Sequence, residues 1–142
     1  MNHDSYSDDY LRDILTGEGV VTLVGLSNNN ARDSHRVFLD LLRRGYRAVG
    51  VNPGIAGHDI GGAPVYAHLA DVPAPIAIVD VFRNSEAAGA VIDEALALPV
   101  LPRAIWLQLG VRHHEAAARA ESRGVKVVMD RCIKIEIARL SL

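Results

Sequence analysis

Short apolar runs alternate with amphipathic stretches along the chain. Val20 to Leu26 is a continuous valine-rich run, the pattern of a strand buried on both faces. Val37, Phe38, Leu41 and Leu42 then form one helical face, with Asp33 or Ser34 placed to cap its start and Gly45 to end it. Tyr46 to Val51 predicts a second strand, stopped by Asn52-Pro53-Gly54. Ile76 to Val81 predicts a third, and Asn84 or Ser85 caps a helix whose Ala88, Val91, Ile92, Ala95 and Leu96 face inward. Ala104 to Leu109 reads as a fourth strand, His113 to Arg123 as a helix ending at Gly124, and Val125 to Met129 as a fifth strand. The tail CIKIEIARL fits both periods, and a closing helix is preferred because short parallel sheets usually end on one. Before the first strand, Tyr10, Leu11, Ile14 and Leu15 sit at helical spacing from about Tyr6 to Leu15.

Strand and helix alternating in this way imply right-handed crossovers and a parallel sheet covered on both faces. The expectation is an α/β fold: a Rossmann-like three-layer sandwich with a mostly parallel sheet of five or six strands. Residues 1–142 read as one domain, with 1–17 as an N-terminal helical extension. The segment GIAGHDIGGAPVYAHLADVPAP has too many glycines and prolines for long regular structure, though Val65-Tyr66 suits a short edge strand; it is expected to be the most mobile part. A ligand is expected at the carboxyl edge of the strands, where strand order reverses.

Composition agrees with that layout. The chain has 142 residues, 49% of them hydrophobic and only 5% aromatic, which suits buried aliphatic strands under helices. A net charge of −2 provides no global field to gather nucleic acid or an anionic membrane, so any anion site must be local. Cys132 has no partner for a disulfide, the polar N-terminus MNHDSYSDDYLRD lacks a signal-peptide pattern, and no apolar run is long enough to span a bilayer. A cytoplasmic protein with a small-molecule ligand, and with neither a nucleic-acid nor a membrane partner, is expected; a homo-oligomer or an unspecified protein partner stays open.

The turns after the strands are the candidate site. Arg32, Arg83, Arg112 and Arg131 each fall within a few residues of a strand end, where helix N-termini already favour anions. Gly25 permits close approach at the first turn, and Ser27, Asn28, Asn29 and Asn30 supply neutral hydrogen-bonding groups, although such loops commonly cap their own helix. A nicotinamide cofactor would want three glycines in that turn and an acidic residue after the second strand. This chain has one clear glycine and Asn52-Pro53, which would tolerate a phosphorylated ribose, as in NADP or coenzyme A.

Other reactive residues admit plainer readings. His113 and His114 are adjacent, so on a helix they cannot converge on one metal; a solvated helix start fits better. Cys132, beside Arg131, has the setting of a nucleophile or redox sensor, while a buried structural cysteine is the plainer reading. Asp80 and Asp130 lie near strand ends as potential bases, though such carboxylates more commonly cap helices or pair with arginine.

Five blocks, VGLSNNNARDSHRV, GYRAVGVNPG, VDVFRNSEAAGAVIDEA, IWLQLGV and VKVVMDRCIKIE, resemble in order and spacing the small stand-alone CoA-binding proteins. The domain of that family is similar to the CoA-binding domain of the succinyl-CoA synthetase alpha subunit. The resemblance implies a Rossmann-like fold with coenzyme A or an acyl-CoA across the strand ends. It places Gly25, Ser27, Asn30, Arg32 and Ser34 along the phosphates, Asn52 and Pro53 near the nucleotide, Val81, Phe82 and Arg83 against the adenine and its phosphates, and Gln108 and Gly110 near the pantetheine. Where the family commonly has prolines in the first turn, in a pattern like SPNPxRPS, this chain has Asn28, Asn30 and Asp33. Those changes loosen the free loop and add a negative charge beside the expected phosphate site.

Three functions follow from these residues: a coenzyme A binding module, sensor or carrier without catalysis; an NADP-type oxidoreductase or redox sensor; or a decayed nucleotide domain acting through protein contacts. Ligase chemistry is set aside for this chain acting alone, because the synthetase draws its phosphorylated histidine and nucleotide site from further domains. No catalytic or metal-binding residue is assigned.

Overall fold

A computed structural model describes all residues 1–142. Seven strands form one sheet: β1 Val20–Val24, β2 Ala48–Val51, β3 Asp59–Ile60, β4 Ala63–Tyr66, β5 Ile76–Val81, β6 Ala104–Leu107 and β7 Lys126–Val128. Their order is β3-β4-β2-β1-β5-β6-β7, and every pair is parallel except β3 with β4. The fold is thus the Rossmann-like α/β sandwich expected, with seven strands in place of the five or six expected. The glycine-rich segment supplies more sheet than Val65-Tyr66 alone, because β3 and β4 make a short hairpin there. Five helices cover the sheet: α1 Asp8–Leu15, α2 Asp33–Arg43, α3 Ser85–Leu96, α4 His114–Ser122 and α5 Ile133–Arg139. The ambiguous tail is helical.

Period-two alternation sorts the strand residues onto two faces. Val24, Val51, Val79, Val81, Ile105, Leu107 and Val127 pack with α3 and α4, while Val21, Leu23, Ile78, Trp106 and Val128 pack with α1, α2 and α5. β1 and β5 are neighbours at the centre. From β1 the chain moves outward through β2 to β4, and from β5 it moves the other way through β6 to β7. Strand order therefore reverses between β1 and β5, and α2 and α3 leave their tips towards opposite faces.

Each sheet edge is treated differently. At β7 the N-terminal segment lies alongside: the Tyr10 hydroxyl donates to the Val127 carbonyl at 2.9 Å and accepts from its N–H at 3.1 Å. The Tyr6 hydroxyl accepts from the Met129 N–H at 2.8 Å, and the two rings stack 5.8 Å apart. Side chains thus satisfy backbone groups that a bare edge would offer to another chain. At the opposite edge stands β3, only two residues long.

Candidate functional site

The turn after β1 begins at Gly25, whose φ of +92° suits glycine; a Cβ there would lie 2.9 Å from the Phe82 carbonyl oxygen and 3.2 Å from Arg83 Cδ. The tips of β1 and β5 are therefore in close contact. Next, Leu26 is fully buried and fills the space above Gly50, where a Cβ would come within 2.4 Å of its Cδ2. This pins the loop base while leaving Asn28 to Asp33 exposed.

Within the loop, the polar residues mostly bind one another. Ser34 Oγ accepts from the Ser27 N–H at 3.0 Å, Ser27 Oγ from the Asn29 N–H at 3.0 Å, and Asn29 Oδ1 from the Ala31 N–H at 3.0 Å. The expected cap of α2 is absent: Arg32, rather than Asp33 or Ser34, occupies the capping position, and its side chain makes no capping bond. The serine hydroxyl is turned back to the loop instead. The N–H groups of Asp33, Ser34 and His35 consequently remain open at the positive end of an eleven-residue helix. Asn52 is also used structurally, donating to the Leu26 carbonyl at 2.8 Å and accepting from the Gly54 N–H at 2.9 Å.

Three adjoining cavities run across the strand ends. The central one, 630 Å³, is lined by Gly25, Ser27, Arg32, Ser34, Arg36 and Phe82 among others. On one side Gly25 is shared with a 330 Å³ cavity bounded by Val24, Val51, Asn52, Pro53, His68 and Arg83. On the other, Asp33, Arg36 and Phe82 are shared with a 300 Å³ cavity whose walls include Val37, Gln108, Leu109 and Cys132. The continuous cleft brings together the residues expected at the site except for three. Val81 is completely buried against α3 and α4, Asn30 is exposed away from the lining, and Gly110 lies outside it, its N–H donating to Asp130 at 2.7 Å.

The four strand-end arginines do not converge. Arg32 and Arg83 line the cleft and pair with no carboxylate, but Arg112 pairs with Asp130 at 3.0 Å. Arg131 lies over the Tyr6 ring, 5.2 Å from its centroid, and donates to the Asp130 carbonyl at 2.9 Å. The N-terminal segment, whose tertiary position sequence spacing did not reveal, draws it away. Arg36 takes its place in the cleft, one helical turn beyond Arg32 and 2.5 Å from Asp33. The i, i+4 spacing of Arg32 and Arg36 was the available signal for it.

Among the other reactive residues, His113 caps α4, its Nδ1 accepting from the Ala116 N–H at 3.1 Å. Asp130 has its carboxyl held low by the Gly110 N–H and by Arg112. Asp80 neither caps nor pairs: it is completely buried with both oxygens unpartnered, and burial raises it well above the ordinary carboxyl range. Cys132 is half-buried, packed against the core on one side and lining the cleft on the other, so it is less buried than the structural reading expected and its thiol side faces the candidate site.

Residues 20–138 match the family model described as CoA binding domain. The uncharacterized protein YneT of Bacillus subtilis is 35% identical over 127 residues, covering 88% of this chain and 90% of that protein. Among solved structures, cell-free ID.343 from Thermus thermophilus superposes with a TM-score of 0.87 at 36% identity, covering 95% of this chain and 99% of the other. A hypothetical protein from Pyrococcus horikoshii OT3 gives 0.88 at 29%, covering 100% and 97%. With a family match across most of its length, and a cleft at the point where strand order reverses, this chain belongs to the CoA binding domain family.

Proposed function

We propose that the protein binds coenzyme A or an acyl-CoA along the carboxyl edge of its sheet, as a binding module, sensor or carrier rather than a turnover enzyme. The observation that carries this reading is the pair of uncompensated guanidinium groups, Arg32 and Arg83, flanking the uncapped N-terminus of α2. The central cavity suits the diphosphate, with the open amides of Asp33 to His35 and Arg32 as its donors. The part bounded by Val24, Val51 and Pro53 suits adenosine, with Arg83 for the ribose phosphate. The part walled by Val37, Phe82 and Leu109 suits the pantetheine arm. A net charge of −2 supplies no global attraction for an anion, so in this reading Arg32, Arg83 and the open amides supply it locally.

Calorimetric titration with CoA, 3′-dephospho-CoA, NADP and NAD tests the reading. CoA should bind most tightly, and loss of the ribose phosphate should weaken it about tenfold, the worth of one charge-assisted hydrogen bond. Equal affinities for CoA and its dephospho form would remove Arg83 from the phosphate role. Preference for NADP would favour an oxidoreductase, and binding of none of the four would favour a domain acting through protein contacts.

A further inference from the structure

Resting on that reading, we propose that Cys132 is a self-acylation site: a bound acyl-CoA transfers its acyl group to Cys132 Sγ. Three residues of the cleft point to this beyond the cysteine itself. Gln108 is 6% exposed and lines the same cavity as the thiol. Its Oε1 accepts from the N–H of Ile133, the residue after Cys132, at 3.2 Å, which fixes the amide plane. The amide nitrogen makes no hydrogen bond within the protein, so this donor is open to the cavity that the thiol also lines. A thioester carbonyl, whose oxygen gains negative charge when sulfur attacks the carbon, is the acceptor that such a donor suits. Leu109 and Ile135, 60% and 56% exposed, border this cavity and provide apolar surface for an acyl tail beyond the sulfur.

The step balances without an oxidant or other co-reactant. Sγ, after giving up its proton, adds to the carbonyl carbon; the bond from that carbon to the coenzyme sulfur breaks, and the departing thiolate takes up a proton. One thioester and one thiol become another thioester and another thiol. Because the two thioesters are nearly equal in energy, occupancy of Cys132 follows the ratio of acyl-CoA to free CoA. Stoichiometric modification of this kind suits a sensor.

Incubation with octanoyl-CoA, followed by intact-protein mass spectrometry, tests it. One octanoyl group should appear, be removed by hydroxylamine, and map to the Cys132 peptide in the unaltered protein; Cys132→Ala should lack it. The rate should saturate with octanoyl-CoA and exceed that with octanoyl-N-acetylcysteamine, which has no nucleotide, by about tenfold or more. Gln108→Glu keeps an acceptor for Ile133 but loses the donor, so it should slow the saturated rate by about tenfold or more. An adduct on Lys134, which lines the same cavity, instead of Cys132, equal rates with both thioesters, or no effect of Gln108→Glu overturns the proposal. CoA binding by calorimetry without any adduct overturns the acylation alone, whereas absence of CoA binding overturns the ligand reading with it.

Discussion

Arg83 leaves the tip of β5 exposed and without a carboxylate, whereas Arg43 on α2 is held by Asp40. Truncation of Arg83 removes charge facing the cleft, and truncation of Arg43 does not. Arg83→Ala should therefore weaken CoA by about tenfold while Arg43→Ala changes it less than about twofold, measured by calorimetry; equal effects contradict the assignment. Asp33 works in the opposite direction. It is the first residue of α2, where proline fits without losing a hydrogen bond, and Arg32 before it has the extended backbone (φ −85°, ψ 145°) that proline requires. Proline there would delete one of the open N–H donors, so Asp33→Asn, which keeps that donor and removes the negative charge, is the cleaner test: it should tighten CoA severalfold by calorimetry, and weaker binding would contradict the view that this charge opposes the phosphates. Asp80 provides a pH test independent of ligand. Burial raises its folded-state carboxyl well above the ordinary value of 3.8, so the neutral acid is favoured, and the stability it contributes is complete below that value and lost as pH rises through the raised one. Relative to wild type, Asp80→Asn should gain unfolding free energy by up to about 1.4 kcal/mol per pH unit across that window. Parallel pH curves for the two proteins would contradict a buried unpaired carboxyl.

At the scale of elements, α1 and the segment before it protect β7, and the phenol of Tyr10 is the central link. Desolvation, only partly offset by its bond to Val127, raises that phenol to about 12. Its stabilising contribution is present below about pH 10, the ordinary value for tyrosine, and is lost as pH rises towards the folded value. Tyr10→Phe leaves the N–H and carbonyl of Val127 without their side-chain partner and should cost about 1–3 kcal/mol in urea unfolding, with an unchanged midpoint contradicting the edge-capping role. The strands and helices themselves were legible because each local pattern agrees with burial: Val20–Val24 is buried throughout and so reads as a continuous apolar run. The site was legible only as a set of strand ends. Which arginine turns into the cleft depends on long-range neighbours, as Tyr6 drawing Arg131 aside demonstrates, and no local spacing encodes that contact. The open end of α2 was likewise hidden, since Asp33 and Ser34 both have capping chemistry and only the fold of the loop turns Ser34 back onto Ser27.

For the molecule as a whole, a nearly neutral chain holds Arg32, Arg36 and Arg83 along a cleft where strand order reverses, and it adds the open amides of one helix. No helix is long and apolar enough to cross a membrane. Two buried clusters of similar size, one on each side of the sheet, hold the strand tips in place, so the cleft is built on rigid elements even though its rim is an exposed loop. The measurement that tests this arrangement most directly is a crystal structure of the protein grown with saturating CoA. Density for the diphosphate should lie against the N–H groups of Asp33 to His35 and the Arg32 guanidinium, with the adenosine towards Pro53 and Arg83 and the sulfur towards Cys132. An empty cleft at saturating CoA, or a coenzyme bound on another face, would contradict it.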